Sequence, residues 1–451
     1  MVAAMFANSA FLEAGWEDGV RITVENGSIR AMEAGVSPEP GDEKHDIIVP
    51  GMGNLHSHAF QRAMSGLAEV RGPSNDSFWS WRTIMYRFAL AFRPEQLEAV
   101  ASQLYLEMLE AGFTRAGEFH YLHHDSDGRP YSNIAELSER IAAASAASGI
   151  SLTLIPVFYA HSGFGGASPG EGQRRYVNSV DSYARLMAAC RKIMRALPGG
   201  QLGLAPHSLR AATPEELTDI LSLEADGPVH IHIAEQMKEV EDCVAALGAR
   251  PVEWLLAHAP VDSRWTLVHA THMTDAETAA IARRGAIAGL CPMTEANLGD
   301  GIFPAPAFLK AGGRFGIGSD SNVSISLAQE LRMLEYSQRL ALHSRNVIAR
   351  PGQSTGERLF AEALAGGARS LRGSGHLRVG QDADFVSLDR SAVAFQSTGA
   401  LFDQWIFGDG IAVDCVWVRG VKRVSRGRHV DRDRIAPRFR AAMQELLRNF
   451  P

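Results

Sequence analysis

The chain has 451 residues, of which 46% are hydrophobic and 21% charged. These fractions are close to those of globular domains, so they exclude disordered and fibrous classes. The formal net charge is −7 and no basic block occurs, which argues against a nucleic-acid partner. The four cysteines are far apart without a CxxC pair. That spacing favours free thiols in a reducing cytoplasm and no sulfur-based zinc site.

No membrane association is expected from the sequence. The first residues carry no basic leader, so we predict no secretory signal. Residues 142–170 contain no Asp, Glu, Lys or Arg and are long enough to cross a bilayer, but Gly149 and Pro156 interrupt them. We therefore predict a helix end, a buried strand and a loop there.

Short runs rich in Val, Ile, Leu and Thr alternate with longer segments of helical character. The predicted strands are residues 47–49, 114–119, 152–158, 202–205, 229–233, 266–270, 286–290 and 315–318. The predicted helices are residues 94–111, 134–148, 179–197, 214–225, 240–247 and 275–284. N-cap signals occur at Thr213 and Thr274. This alternation is typical of parallel βαβ units, and eight of them predict an α/β fold with a (β/α)8 TIM-like barrel.

Both ends of the chain have a different pattern, with short strands and turn signals. Turns are predicted at residues 17–19 and 25–27, and strands at 378–388, 414–419 and 421–424. We predict that the two ends pair into one small β-sandwich. The predicted domains are residues 1–46 and 376–430 for the two parts of the sandwich, 47–375 for a metal-dependent barrel, and 431–451 for a C-terminal helix.

Titratable side chains follow at least six of the eight predicted strands. They are His56 and His58; Glu118, His120 and Tyr121; His207 and Arg210; His230, His232 and Glu235; His269 and His272; and Asp320. In a barrel of this type the carboxyl ends of the strands converge on one mouth, where the chemistry takes place. We therefore expect these side chains to gather there.

The sequence favours one metal ion at this mouth. In an extended segment, His56 and His58 lie on the same side of the chain because side-chain direction repeats every two residues. With His232 and Asp320 they form a His3Asp set suited to zinc or iron, although an isolated HxH is more often two surface histidines. No lysine follows strand four, where His207 stands in PHSLR. A bridging lysine is expected in most two-metal barrels, so one ion is favoured; zinc, iron and manganese all stay open.

Two further side chains at the mouth have alternative interpretations. Glu235 is able to carry a proton between a metal-bound water and a leaving nitrogen, or to be an ordinary first-turn glutamate favoured by a helix dipole. Both interpretations stay open. His269 is either a hydrogen-bonded core histidine or a base, and its position at a strand end favours the base.

Together these residues resemble the amidohydrolase superfamily. The HxxE pattern at residues 232–235 narrows the resemblance to its mononuclear deaminase branch, and within that branch the chain is similar to the formimidoylglutamate deiminase family of bacterial histidine degradation. The motifs behind this resemblance are NLHSHAFQRAM (54–64), SFWSWR (77–82), GEFHYLHH (117–124), PHSLR (206–210), CPMTEANLGDGIF (291–303) and GSDSN (318–322).

The resemblance implies a set of roles and a reaction. One zinc ion per chain is held by His56, His58, His232 and Asp320. Glu235 shuttles the proton, His269 assists the hydroxide, and Asp320 also accepts the proton of water. Hydroxide attacks the formimino carbon of N-formimino-L-glutamate, ammonia leaves, and N-formyl-L-glutamate is the product. The family also implies a homodimer.

A small dicarboxylate substrate requires cations in the pocket. Arg82 and Arg210 are candidates for forked bonds to its carboxylates, supported by Gln61, Tyr121 and His207. Arg82 alone is also explained as a solvated helix arginine, whereas Arg210 directly follows a strand end. Trp79 and Trp81 form a lid or pack against neighbours, and their spacing favours packing.

Three other functions stay open at this point. A deaminase of the same branch acting on a nucleobase such as guanine or cytosine leaves the two arginines without a purpose. A non-catalytic amidohydrolase-like scaffold does not explain why four ligands, Glu235 and His269 are all present. A two-metal amidase or lactonase is disfavoured by the residues that follow strand four.

Overall fold

A computed structural model describes residues 3–71, 78–393 and 398–448. The strands are β1 (Ala3–Leu12), β2 (Gly15–Glu25), β3 (Ser28–Glu33), β4 (Glu43–Pro50), β5 (Met52–Ser57), β6 (Phe113–His120), β7 (Ser151–Phe158), β8 (Gln201–Leu202), β9 (Ala205–Pro206), β10 (Val229–Ile233), β11 (Trp265–His269), β12 (Ile287–Leu290), β13 (Arg314–Ile317), β14 (Phe385–Asp389), β15 (Ala412–Val418), β16 (Val421–Ser425) and β17 (Arg428–His429). The α-helices are α1 (Phe78–Ala91), α2 (Pro94–Glu110), α3 (Glu136–Ser148), α4 (Val180–Ala196), α5 (Pro214–Leu221), α6 (Met237–Leu247), α7 (Pro251–His258), α8 (Asp275–Arg284), α9 (Pro292–Leu298), α10 (Ala305–Lys310), α11 (Leu327–Leu342), α12 (Thr355–Leu371), α13 (Leu401–Phe407) and α14 (Arg432–Leu447).

The α/β part of the molecule contains two parallel sheets. One has the order β5-β6-β7-β8, with β9 also paired to β7, and the other has the order β10-β11-β12-β13. They are not one continuous ladder, but single parallel bridges link Ser57 to Asp320 and Leu204 to Val229. The first bridge brings the end of β5 beside the residue that follows β13, so the first and last parallel strands end at the same place.

The central strands β6 and β7 are buried along their whole length. All eight residues of β6 and all eight of β7 are buried, which is typical of parallel strands covered on both faces. Helices α5 and α8 start at the predicted caps. The Thr213 and Thr274 hydroxyls accept the Glu216 and Glu277 amides, and each glutamate bonds back to the cap amide.

Helix α12 packs very closely against the inner strands. A Cβ on Gly366 would lie 1.9 Å from the Phe315 carbonyl oxygen, so only glycine permits this approach. Farther along the helix, the Ser370 hydroxyl bonds to Thr266 of β11 and to the His230 ring. The carboxyl half of α12 therefore contacts three strands of one parallel sheet, β10, β11 and β13.

The two ends of the chain contribute to one eight-stranded sheet. Its order is β17-β16-β15-β14-β4-β1-β2-β3, and β4 pairs with β14 in antiparallel fashion. The predicted pairing of the N-terminal and C-terminal strands is thus confirmed. A separate hydrophobic cluster lies on this sheet and includes Met5, Ile22, Ile48, Phe385 and Trp417. A two-layered sandwich stays a prediction, as do the domain boundaries.

Several predicted elements are wrong in detail. Residues 47–49 belong to β4 of the terminal sheet, and the first strand of the parallel sheets is β5. Residues 17–19 lie inside β2, where they pair with β1, and are not a turn. Strand four is divided into β8 and β9, and only the last part of 378–388 is a strand. Among the described helices, α1, α7 and α9 to α13 were not predicted.

The charge-free segment 142–170 has the predicted structure. Helix α3 ends at Ser148, the buried strand β7 follows, and irregular chain continues after Phe158. Within the described ranges, no helix combines the length and the apolar character needed to cross a bilayer. All four cysteines are buried and free.

Candidate active site

The carboxyl ends of the parallel strands surround one cavity of about 660 Å³, its open mouth included. The predicted site residues that line it are His58, Gln61, Arg82, Tyr121, His207, Arg210, His232, Glu235, His269 and Asp320. The remaining predicted residue, His56, is fully buried and contacts His58 and His232 below the cavity wall. The structure therefore brings all the candidate metal-ligating, acid–base and substrate-binding residues to one place.

The four candidate metal ligands point their donor atoms at one another. His56 Nε2 lies 3.2 Å from His58 Nε2 and 3.0 Å from His232 Nε2. Asp320 Oδ1 lies 3.4 Å from His56 Nε2 and 3.2 Å from His58 Nε2. Donors held tetrahedrally at about 2.0–2.2 Å from a zinc ion stand about 3.4 Å apart. The donor set therefore fits such an ion.

The protonation states of these side chains also suit a metal site. Burial lowers the pKa of His56 to about 3, and burial together with neighbouring histidines lowers the pKa of His232. Both imidazoles are therefore neutral, as metal binding requires. The Nδ1 of His58 donates to the Phe119 carbonyl at 3.0 Å, which leaves Nε2 directed at the group.

Asn322 holds together the two chain segments that carry His58 and Asp320. Its amide nitrogen donates to the His58 carbonyl at 3.1 Å, the Asp320 carbonyl at 2.9 Å and the Ser57 hydroxyl at 3.2 Å. Its amide oxygen accepts the Ser319 hydroxyl at 2.6 Å. Asp320 and Asn322 have positive φ angles of 46° and 58°, a region that Asp and Asn enter more readily than most residues. The backbone conformation thus explains why Asp and Asn occupy these two positions of the GSDSN motif.

Glu235, His269 and Asp320 form a buried acid–base group beside the candidate ligands. His269 Nε2 lies 3.7 Å from Glu235 Oε1 and 3.8 Å from Asp320 Oδ2. Burial raises the pKa of Glu235. Burial lowers the pKa of His269, but the adjacent carboxylates outweigh it and the net pKa is raised. Groups with perturbed pKa values that share a cleft are candidates for proton transfer.

The sequence reasoning missed two carboxyl groups around His269. Glu295 Oε1 accepts His269 Nδ1 at 3.3 Å and the Cys291 amide at 2.9 Å. Asp300 has a carboxylate oxygen within 4.8 Å of donor atoms of Glu235 and His269, and burial raises its pKa to about 9. Both residues belong to the motif at 291–303, which gave a signal for the family but none for their individual contacts.

The substrate side of the cavity contains the two arginines. Arg210 is 9% exposed, and its Nη1 atom has no hydrogen-bond partner within the described part of the chain. The Arg82 guanidinium lies 4.5 Å from the centre of the Trp79 ring and 5.4 Å from that of Tyr86. Both cations face the cavity that also receives the candidate metal ligands. A negatively charged molecule therefore fits beside the metal group.

Polar side chains between the arginines and the ligand group complete this wall. Gln61 donates to the Tyr121 hydroxyl at 2.8 Å, and its buried Oε1 atom has no partner among the described residues. The ring of His207 packs 4.8 Å from His232, and its Nδ1 lies 3.2 Å from the Ser208 hydroxyl. Ser208 and the tyrosines Tyr86, Tyr159 and Tyr176 line the cavity as well, but were not predicted.

Other predicted positions lie elsewhere. Glu118 and His120 lie in β6, His230 lies in β10 and His272 follows β11, but none of the four is among the described residues that line the cavity. Trp81 lines it, whereas the Trp79 ring lies against the Arg82 guanidinium; that the pair packs and forms no lid stays a prediction. Ser77, the first residue of the SFWSWR motif, lies outside the described residues.

Two family models together match nearly the whole chain. The model described as the amidohydrolase family matches residues 47–422. The model described as the N-terminal domain of formimidoylglutamate deiminase HutF matches residues 2–46. The chain is also 50% identical over 453 residues to a formimidoylglutamate deiminase of Pseudomonas aeruginosa, a match that covers 99% of this chain and 100% of that protein.

Solved structures give the same picture. An amidohydrolase from Brucella melitensis is similar with a TM-score of 0.96 and 56% identity, covering 99% of this chain and 100% of that one. An adenosine deaminase from Xanthomonas campestris, solved with bound zinc, has a TM-score of 0.82 at 22% identity and covers 98% of each chain. At that identity the second likeness concerns the fold alone.

Proposed function

The chain belongs to the amidohydrolase family and is a hydrolase of carbon–nitrogen bonds; from this premise we propose that it converts N-formimino-L-glutamate and water to N-formyl-L-glutamate and ammonia. This reaction is a step of histidine degradation. The observation that carries the proposal is the presence of Arg82 and Arg210 in the cavity that also receives the His3Asp group. A dicarboxylate with a hydrolysable formimino nitrogen matches both features.

The amidohydrolase family is metal-dependent, and this chain has a buried histidine-rich group suited to a metal ion. We propose zinc, one ion per chain, held by His56, His58, His232 and Asp320. The three imidazole nitrogens and one carboxylate oxygen are donors that zinc accepts readily. When bound, such an ion supplies Lewis acidity and lowers the pKa of water toward about 7.

The chain's own acid–base groups carry the protons in this proposal. Asp320 Oδ2 accepts a proton from the attacking water, and His269 Nε2, 3.8 Å away, stabilises the charge that develops there. Glu235 Oε1 lies 3.7 Å from the same Nε2 atom. Starting from the amidinium form of the substrate, Glu235 donates a proton to the nitrogen of the tetrahedral adduct, so that the carbon–nitrogen bond breaks and ammonia leaves. The carbon-bound hydroxyl returns a proton to Glu235 as the formyl C=O bond forms, and Asp320 releases its proton to the departing ammonia. Because burial raises the pKa of Glu235, this carboxyl group holds a proton more readily than an exposed glutamate does.

Recognition of the substrate depends on the opposite wall of the cavity. Arg82 and Arg210 bind the two carboxylates through charge-assisted hydrogen bonds. Gln61, Tyr121 and His207 lie between them and the ligand group, where they orient the formimino end. Nucleobases carry no carboxylate, so the same cavity would leave two guanidinium groups unpaired. This is the physical reason for preferring the dicarboxylate over guanine or cytosine.

We also propose how the architecture supports this site. The two parallel sheets together form one (β/α)8 barrel. The single bridges that join their adjoining edges support this arrangement. The terminal sheet folds over its own hydrophobic cluster as a small sandwich. The proposed domains are residues 1–46 and 376–430 for the sandwich, 47–375 for the barrel and 431–451 for the final helix. A cytoplasmic location and a homodimer stay predictions.

The proposal is tested by measuring ammonia release with purified protein. N-formimino-L-glutamate, guanine and cytosine are supplied at equal concentrations, with N-formiminoglycine as a matched control that lacks the second carboxylate. We expect turnover of N-formimino-L-glutamate, a much lower kcat/KM for the glycine analogue, and no turnover of either base. Preferential deamination of guanine or cytosine would overturn the substrate assignment, and absence of all turnover in metal-loaded protein would favour the scaffold alternative.

A further inference from the structure

Helix α1 forms one wall of the cavity, yet few of its side chains are buried. Phe78, Met85, Phe88 and Ala89 are its buried residues. The same helix presents Arg82 to the cavity. Trp81, Ile84, Tyr86 and Ala91 of the helix also pack against the core but stay partly exposed, so polar contacts at its carboxyl end help to hold the guanidinium of Arg82 in one position.

The strongest anchor is Arg175, which is 0% exposed. Its Nη1 atom donates to the Ala89 carbonyl at 2.6 Å and to the Phe92 carbonyl at 2.9 Å, at the carboxyl end of α1. Its Nε atom donates to the His124 carbonyl at 2.8 Å. One guanidinium therefore joins the end of α1 to the loop after β6, which also carries Tyr121.

Burying the charged guanidinium of Arg175 carries a free-energy penalty, which its hydrogen bonds must offset. Among the described residues, Asp125 acts on Arg175 only through longer-range attraction, and the side chain that Arg175 contacts by a hydrogen bond is the neutral Tyr131. Burial lowers the pKa of Arg175, which shows that the charged form is disfavoured there. The compensation comes from carbonyl oxygens at a helix carboxyl end, where a cation is favoured. A hydrophobic side chain would fill the same space but would leave those carbonyls without donors.

The chain around Arg175 holds the middle of α1 as well. Gln173 Nε2 donates to the Tyr86 hydroxyl at 3.2 Å, and the Tyr176 hydroxyl lies 3.6 Å from Met85 Sδ. Gly172 lies under the Tyr86 ring, since a Cβ there would approach Tyr86 Cδ2 to 2.8 Å. Residues 172–176 thus contact α1 from Met85 to its carboxyl end.

We propose that Arg175 is a positioning residue that fixes α1 so that the Arg82 guanidinium is held at the substrate carboxylate. The proposal rests on the proposed function, because it assigns Arg82 to a carboxylate of the substrate. Arg175 is not among the described residues that line the cavity, so it acts through the elements that it contacts, of which α1 carries Arg82. Its side chain serves substrate recognition, with no direct part in the proton transfers.

A double-mutant cycle with Arg82 tests this coupling. Arg175→Lys keeps the charge but loses the planar fork that reaches three carbonyls at once. We expect it to lower kcat/KM for N-formimino-L-glutamate about tenfold, chiefly through KM, in the parent protein. In the Arg82→Met background we expect a change below about twofold, because the group that Arg175 positions is already gone. Equal losses in both backgrounds would overturn the proposal.

Arg115 provides a matched control. It is 4% exposed, and its Nη1 atom also bonds to carbonyl oxygens, those of Leu152 and Gly199. These contacts lie near the amino ends of the strands, away from the cavity. Any loss of activity in Arg115→Lys should therefore be the same with and without Arg82. If Arg175→Lys does not fold, Gln173→Leu replaces it in the cycle, with the same expected non-additivity.

Amide hydrogen exchange without substrate separates this proposal from the assigned reaction. Arg175→Lys should accelerate exchange in residues 78–91, and Arg115→Lys should not. If the parent protein has no formimino activity but this acceleration occurs, the proposed function fails while the anchoring of α1 stands. If the parent is active, unchanged exchange in Arg175→Lys would refute the positioning role.

Discussion

The candidate metal ligands and Arg82 meet in one cavity but are held there by different means. His56 and His232 lie within buried parallel strands, and Asp320 follows the last of them, with its backbone bonded to that of His56 and His58. Arg82 instead projects from α1, a helix that depends on the side chains of Gln173 and Arg175 for its position. One wall is set by backbone ladders and the other by side-chain contacts.

The strand-held wall carries the groups proposed for the chemistry, and the α1 wall carries a group proposed for substrate recognition. Donor atoms that belong to hydrogen-bonded strands are fixed in relation to one another before any substrate arrives, as acid–base and metal chemistry require. A helix held by a few side chains is easier to alter in evolution without disturbing the strands. We therefore expect substitutions on the strand side to lower kcat or metal binding, and substitutions on the α1 side to raise KM.

The largest effect is expected for Glu235→Gln. The amide is unable to hold or release the proton for the formimino nitrogen, so kcat should fall about a thousandfold. Metal content should stay at about one zinc-class ion per chain, since Glu235 is not a ligand in the proposed set. Turnover assays and metal analysis of the same preparation measure both quantities.

Glu241→Gln is the matched control for this substitution, because Glu241 lies on α6 with an exposed side chain. It should leave kcat unchanged. Near-normal turnover in Glu235→Gln would remove that residue from the mechanism, and two ions per chain would contradict the single-site assignment.

On the other wall, Arg82→Met should act mainly on KM. Loss of a charge-assisted bond to a carboxylate should raise KM about tenfold to a hundredfold and leave kcat within a few-fold of the parent value. Steady-state kinetics with N-formimino-L-glutamate measures the split. Arg87→Met changes an exposed arginine of the same helix that does not line the cavity, and should leave KM near the parent value. A fall in kcat with constant KM would place Arg82 in the chemistry and abolish the contrast between the walls.

The strand wall was predictable from the sequence because its signals are local. Complete burial produces continuous apolar runs, and the polar residue after each run marks the mouth. The exception is instructive: residues 47–49 form a strong apolar run but pair in the terminal sheet, whereas β5 contains Gly53 and the polar Asn54, His56 and Ser57. Polar residues buried at the site disguised the first strand.

The α1 wall and Glu295 were not predictable because their contacts join distant parts of the chain. Arg175 and Ala89 are 86 positions apart, and nothing in either local sequence indicates the other. Glu295 reads as a surface residue of a short helix, yet it lies at the His269 ring because α9 starts directly after β12. Such pairs depend on the packing of elements, which local patterns do not specify.

A smaller effect is expected for Asn322→Ala, which tests whether the strand wall is as rigid as described. The substitution removes the side-chain donor of the buried His58 and Asp320 carbonyls, which keep only their backbone donors, and it removes the acceptor of the Ser319 hydroxyl. It should lower the free energy of unfolding by about 2–4 kcal/mol and weaken metal retention during dialysis against a chelator. Thermal unfolding with and without metal measures both effects.

Asn322→Gly separates two causes of the lost stability, namely backbone strain from alanine at a positive φ and loss of the amide group. Glycine accepts the positive φ of 58° without strain, so any destabilisation that it retains comes from the missing amide group. Metal retention equal to that of the parent in both variants would show that the Asn322 amide is dispensable for the ligand geometry. The strand wall would then owe its order to the ladders alone.

The smallest effect is expected at Thr274, the N-cap of the helix that follows His269. Thr274→Ala removes the acceptor for the Glu277 amide and should cost about 1 kcal/mol, seen as a lower urea midpoint at unchanged slope. Thr218→Ala alters an exposed threonine inside α5 and should leave the midpoint unchanged or raise it. Because strand ladders fix His269, kcat should not change in Thr274→Ala. A loss of kcat there would mean that the strand wall, like α1, depends on contacts made beyond its own backbone.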